Sequence, residues 1–220
     1  VDGIKIWLYD VVEPGQTFNV SFWKECSDLV IGDILKRNKL PIVVGGSGLY
    51  LKSLTLSLSQ ISIPSHPILR FKLAEKSVKY LFNYLNKVDS FKAASLNISD
   101  RNNPRRLLRA IEISLNPPTI NSKPTNYELL QIGLTASRSL LYQRIDQRVL
   151  ERIAQGASKE DSILAANPIH WQFQEHKIAR QQLTWFKKQP SITWFDITTP
   201  GWDDLAEETI QNWYNKDHAT

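Results

Sequence analysis

"PIVVGGSGLYLKSL", residues 41–54, joins a continuously apolar run to three glycines within four positions, followed by an amphipathic stretch with a tyrosine and a lysine. A short run that is apolar throughout is the pattern of a strand covered on both faces in a parallel sheet. Strand, glycine turn and helix start, in that order, present backbone N–H groups to an anion. Three readings of Gly45, Gly46, Ser47 and Gly48 compete. The turn needs glycine only for its backbone angles. Or it is a dinucleotide fingerprint, a poor fit because Gly46-Ser47-Gly48 has no third glycine and no acid lies between Gly48 and Glu75. Or it is a phosphate or pyrophosphate cradle in which the Ser47 hydroxyl joins the N–H groups. That cradle is not a Walker A loop, since Gly-Lys-Ser/Thr occurs nowhere in residues 1–220.

Working outward, "IKIWLYDVV" (4–12) is β-branched and aromatic enough for a buried strand. "SFWKECSDLVIGDILKRNK" (21–39) carries Phe22, Cys26, Leu29, Val30, Ile34 and Leu35 at helical spacing, with Ser21 as its cap. Strand, helix, strand, turn and helix make a βαβ pattern, so the first sixty residues or so read as α/β. Beyond the breaks at Pro64 and Pro67 the pattern turns helical, over 68–86 and again over 101–115, where Pro104 stands near the first turn. Residues 116–126 read as a loop, and "YELLQIGLTAS" (127–137) returns to the sheet. A long helix follows and ends at Gly156. One or two more helices are expected within 158–188, and "SITWFDIT" is a last short strand.

The composition, 42% apolar and 22% charged over 220 residues, is that of a folded domain rather than a disordered chain. No apolar run reaches the roughly 18 residues of a membrane helix, and a single cysteine, Cys26, suits a reducing cytosol. His66, His170, His176 and His218 lack ligand spacing, so no metal site is assigned from them. The chain begins at Val1 and contains no methionine, which reads as a piece of a longer one.

The net charge of +5 is only mildly basic, and the placement of arginines says more. Arg101, Arg105, Arg106 and Arg109 fall within nine residues, and Arg144, Arg148 and Arg152 form an i, i+4, i+8 row. Leu141, Ile145 and Val149 supply the buried stripe beneath that row. Either ridge alone fits a solvated helix face, with Asp146 and Glu151 as ion-pair partners for the second. Together with Arg180, Lys187 and Lys188 they point to a phosphate backbone. Trp171, Trp185, Phe186 and Trp194 suit stacking on bases, although at helical spacing such aromatics are more often core.

Five segments in chain order resemble the tRNA dimethylallyltransferases. "YDVVEPGQTFNVSFW" (9–23) is similar to LID-x-x-x-P-x-x-x-[YF]-[ST]-V-x-x-F. "LPIVVGGSGLYLKSL" is similar to LPI-[LV]-VGGTGLY-[IL]-K-AL. "DRNNPRRLLRAIEI" (100–113) resembles ND-x-x-R-[IVL]-x-RALE-[IV], "SRSLLYQRIDQRV" resembles R-x-x-LY-x-RI-x-x-RV, and "ARQQLTWFKK" (179–188) resembles AKRQ-[LI]-TWFR. The resemblance implies an α/β fold. It has a P-loop NTPase-like, nucleotide-binding parallel-sheet core, lacking here its first strand and Walker A loop, and a helical tRNA-binding insertion. Residues 1–60 would belong to that core and 61–126 to the insertion. Residues 127–220 would return to the core and add C-terminal helices that contact tRNA.

It further implies transfer of a dimethylallyl group from dimethylallyl diphosphate to N6 of the adenosine 3′ of the anticodon, in a cytoplasmic monomer. By motif, Ser47 takes the family's channel threonine and Gly45, Gly46, Ser47 and Gly48 the donor pyrophosphate. Arg70, Arg105, Arg106, Arg109, Arg180, Gln181, Gln182, Thr184, Trp185 and Lys187 fall on tRNA-contacting positions. Mg²⁺ is implied with ligands outside this chain. In the family, a Walker A loop and a D-S-x-Q segment, whose aspartate is the general base, precede the position of Val1. Residues 1–220 alone are therefore expected to bind tRNA without transferring the group. Gln181 stands for the arginine of KRQ and Asn103 for the aspartate of ND, and no G-[YF]-[KR]-[EQ] segment is recognisable between 153 and 175. A non-catalytic tRNA-binding relic and an adenylate isopentenyltransferase-like enzyme are the competing readings.

Overall fold

The structure is a computed structural model describing residues 3–13, 15–16, 18–55, 61, 63–117, 127–157 and 165–218. It is mostly helical with a small parallel sheet. The elements run α1 (Val20–Lys36), α2 (Gly48–Thr55), α3 (Pro67–Leu73), α4 (Val78–Val88), α5 (Ser90–Ser95), α6 (Ile98–Arg101), α7 (Pro104–Leu115), β1 (Gln131–Thr135), α8 (Arg138–Ala154), α9 (Pro168–Phe186), β2 (Ile192–Asp196) and α10 (Trp202–His218). The chain divides into two compact units: residues 1–44 with 49–126, and residues 45–48 with 127–220.

In the first unit the core is helical. Leu81 and Leu85 of α4 meet Leu107, Ala110 and Ile111 of α7, with Leu73 and Ala93 closing the cluster. Val78, Leu81, Phe82 and Leu85 repeat at i, i+3, i+4 and i+7, which puts one apolar stripe on α4. Short polar side chains start several of these helices. Ser77 Oγ accepts from Tyr80 N–H, Asp89 Oδ1 from Lys92 N–H and Asn103 Oδ1 from Arg106 N–H, at 2.8–3.2 Å. Pro67 and Pro104 occupy first-turn positions, where no N–H is required. These caps correct two expectations. The single helix over 68–86 is two, broken before Ser77, and 101–115 is α6 followed by α7. Asn19, not Ser21, caps α1, accepting from Ser21 and Phe22 N–H at 3.0 and 3.1 Å. The buried line of α1 runs through Ser27 and Ile31, while Leu29 is 76% exposed. Phe18 and Trp23 pack their rings on Tyr50 of α2.

The two expected N-terminal strands do not form. Within 4–12, Leu8 and Asp10 take positive φ and Ile4 and Tyr9 are exposed. Over 40–46 the chain has no strand pairing, and Val44 is 91% exposed. An extended segment becomes a strand only when a neighbour takes up its N–H and C=O groups. Among the described residues the one sheet pairs β1 with β2, in parallel from Gln131↔Ile192 to Thr135↔Asp196.

That sheet lies in the second unit. Gly133 faces Trp194 in register, and a Cβ there would sit 2.7 Å from Trp194 Cε3, so the glycine admits the indole. Val149 is buried on α8, with Leu141 and Ile145 half-buried beside it, as the sequence stripe predicts. Ser137 caps α8 and Gly156, at φ +98°, ends it. Of the loop expected over 116–126, residues 118–126 lie outside the described residues. So do 158–164, at the start of the segment expected to contain one or two helices.

Candidate functional site

None of Gly45, Gly46 and Gly48 has a positive φ, which corrects the reading that this turn needs glycine for its backbone angles. Close approach is the reason at two of them. A Cβ on Gly46 would come within 3.0 Å of Gln182 Cδ, and one on Gly48 within 2.7 Å of Trp185 Cζ3. Residues 45–48 accordingly pack with the C-terminal unit. Ser47 is exposed, one residue before the first turn of α2.

The partner side of that contact is α9, and its two edges differ. Arg180, Gln181, Thr184, Lys187 and Lys188 are exposed, whereas Gln182, Leu183, Trp185 and Phe186 are half-buried. Successive residues of a helix are about 100° apart, so a contiguous motif cannot present every side chain to one ligand. "ARQQLTWFKK" is thereby split: its cations look outward while Gln182 and Trp185 lie over the glycines. Thr184 Oγ1 donates to Arg180 C=O at 2.8 Å.

A second set of contacts ties α9 to α8. Arg180 donates to the Tyr142 hydroxyl at 2.8 Å, and the Tyr142 ring stacks on His176 with centroids 3.9 Å apart. His176 Nε2 lies 2.8 Å from Asp146 Oδ1. Its sequence neighbour Glu175 receives Arg148 at 3.6 Å, Arg152 at 4.0 Å and the Trp171 indole N–H at 3.3 Å. Two members of the arginine row, Arg148 and Arg152, therefore pair across helices with Glu175. The expected partners are engaged elsewhere, Asp146 with His176 and Glu151 with Gln147. Trp171 is buried in this packing, as core aromatics are, and Arg144 is exposed with no hydrogen bond or ion pair among the described residues. Sequence reasoning missed His176 and Glu175; nothing local marks residues that act through a partner some thirty positions away.

In the N-terminal unit, Arg70 and Arg109 meet on Glu112, which has no exposed surface. Arg70 grips it with two hydrogen bonds, Nε to Oε1 at 2.7 Å and a terminal nitrogen to Oε2 at 3.0 Å. His66 N–H donates to Oε1 at 2.9 Å, and Arg109 also donates to Ile63 C=O at 2.8 Å. Burial pushes the Glu112 carboxyl up, but the donors from Arg70, His66 and Arg109, with the Arg70 charge, together hold it below the ordinary carboxylate range. Arg106 pairs with Asp100, and Arg101 donates to the carbonyls of Leu96 and Ala94. Arg105 is exposed and has no partner among the described residues. Glu112 was missed as well, although a lone acid between Ala110-Ile111 and Ile113 is a readable signal. Among the described residues no three His, Cys, Asp or Glu side chains converge on one point.

A family model described as IPP transferase matches residues 1–174. The tRNA dimethylallyltransferase of Carboxydothermus hydrogenoformans is 32% identical over 251 residues, an alignment covering 95% of this chain and 79% of that protein. That of Anoxybacillus flavithermus is 31% identical over 233 residues, covering 90% of this chain and 74% of that one. Among solved structures, the full-length tRNA isopentenylpyrophosphate transferase of Bacillus halodurans superposes with a TM-score of 0.61 at 26% identity, covering 98% of this chain and 78% of that chain. A eukaryotic dimethylallyltransferase solved acting on tRNA gives 0.66 at 19% identity over 93% of this chain and 63% of its own, a likeness of fold. Matched by the family model over most of its length and by relatives along most of theirs, this chain belongs to the IPP transferase family.

Proposed function

We propose that the protein carrying this chain transfers a dimethylallyl group from dimethylallyl diphosphate to N6 of the adenosine 3′ of the anticodon in tRNA. The reading is supported chiefly by one arrangement: α9 carries an exposed cationic edge, with Arg180 and Lys187, and seats its other edge on the Gly45–Gly48 turn. A polyanion and a diphosphate donor are the two substrates such a helix can serve together. In the reaction the allylic C1–O bond breaks, its electron pair leaves with pyrophosphate, N6 bonds to C1 and one N6 proton departs. The turn N–H groups at the start of α2 and the Ser47 hydroxyl donate hydrogen bonds to the leaving oxygens, where fixed donors act most strongly on developing charge. The exposed cations, with Arg105, hold the RNA backbone, and Arg70 belongs to that set through whatever its bond to Glu112 leaves free. No proton acceptor is assigned within residues 1–220. Mg²⁺ would neutralise the diphosphate charge, but no step here runs through it. Cytoplasmic residence belongs to the same reading, and no described helix is long and apolar enough to cross a membrane.

The test is mass spectrometry after incubating the protein, expressed from its natural start codon, with the donor and either an anticodon stem-loop containing consecutive adenosines or AMP. A mass gain on the RNA alone is expected. Prenylated AMP with unmodified RNA would favour the adenylate enzyme, and RNA binding without transfer would favour a relic.

A further inference from the structure

We propose that Gln182 and Trp185 are positioning residues of the donor turn and not RNA contacts. The inference rests on the proposed function, because it gives these side chains a place in that reaction. Both belong to a segment whose neighbours Arg180, Gln181, Thr184 and Lys187 are exposed, yet both are half-buried. Their side chains occupy the space that a Cβ would take on Gly46 and Gly48. The spacing is consistent. Three residues along α9 advance about 4.5 Å and two along extended chain about 6.6 Å, a difference that a glutamine and an indole span. Trp185 is itself braced by Phe186, edge to face at 5.1 Å between centroids. Residues 45–48 thus pack against a long helix instead of with the segments that flank them in sequence.

The consequence is mechanical. Hydrogen-bond donors serve a leaving group only when held to about half an ångström, which takes a supporting shell of packed side chains. Gln182 and Trp185 form that shell for the N–H groups of the turn, while the cations on the opposite edge of the same helix meet the RNA. Gly48 is required because the Trp185 indole fills the space in front of it, and Gly46 leaves room for the Gln182 amide.

The experiment measures dissociation constants for dimethylallyl diphosphate by calorimetry and for the anticodon stem-loop by fluorescence anisotropy, in the protein expressed from its natural start codon. Gln182→Ala should weaken donor binding at least fivefold and change RNA affinity by less than twofold, with an unchanged circular dichroism spectrum. Gly46→Ala should also weaken the donor, by less than Gln182→Ala does, since its Cβ displaces the amide at the end of the flexible Gln182 side chain. In Gly46→Ala/Gln182→Ala the vacated space accepts that Cβ while the support of Gln182 stays lost, so the double variant should bind donor no worse than Gln182→Ala alone. A Gln182→Ala protein that loses RNA fivefold with donor binding intact would overturn the proposal. So would a double variant whose loss is the product of the two. A wild type that binds donor and never modifies RNA would overturn the proposed function while leaving this reading measured. A wild type that binds no donor would overturn both.

Discussion

Glu112 is a carboxylate with no exposed surface, kept charged by Arg70, Arg109 and the His66 N–H. Removing it strands two guanidinium groups and an amide, but Arg70 is 49% exposed and rehydrates, so the loss falls below that of a fully buried pair. Glu112→Ala should cost about 2 to 3 kcal/mol, read by denaturant titration. The pH dependence has a definite sign. Because the folded carboxyl titrates below its unfolded value of about 4.3, its stabilisation is complete above that value and lost as pH falls through the folded one. Glu112→Gln should be less stable at neutral pH and lose less between pH 5 and 3; an acid profile identical to the wild type's would sink the assignment. At this scale the sequence was legible as to residue type and not as to cause. The glycine turn stood out in the sequence, but what packs on Gly46 and Gly48 is a side chain more than a hundred positions away, which local pattern cannot carry.

At the scale of elements, helices were legible wherever the signal was local. The stripe through Leu141, Ile145 and Val149, the stop at Gly156 and the two strands around Ile132 and Thr193, though not their pairing, follow from short-range pattern. The strands over 4–12 and 40–46 were misread because apolar, β-branched composition favours extension without supplying a partner for the backbone. The helix over 68–86 was misread because Ser77, a cap, looks like any polar residue within a helix. The helix stop offers a clean test. Gly156 sits at φ +98° with nothing within 4 Å of where a Cβ would stand, so Gly156→Ala changes backbone strain and no packing. The expected cost is about 1 kcal/mol, roughly 2 to 4 °C in melting temperature for a chain of this size. An unchanged melting temperature would mean that the end of α8 is not held in this conformation.

At the scale of the whole molecule the question is which of its 27 lysines and arginines an RNA can use against 22 acids. Counted along the sequence, Arg101, Arg105, Arg106, Arg109, Arg144, Arg148 and Arg152 form two equivalent ridges. In the folded chain they are not equivalent. Arg106 is paired with Asp100, Arg109 with Glu112, and Arg148 and Arg152 with Glu175, while Arg101 is spent on backbone carbonyls. Arg105 and Arg144 alone among the seven are exposed without a partner among the described residues. A cation already facing a carboxylate must give up that partner before it can displace a counterion from RNA, so it adds little to the salt dependence of binding. For the intact protein and an anticodon stem-loop, Arg105→Ala or Arg144→Ala should each reduce the slope of log affinity against log salt by about 1. Arg106→Ala and Arg152→Ala should leave that slope nearly unchanged and show their effect in stability instead. Anisotropy titrations between about 50 and 200 mM salt span the range in which such slopes separate. If all four variants flatten the slope equally, the ion pairs open on binding and the ridges act as the sequence presents them.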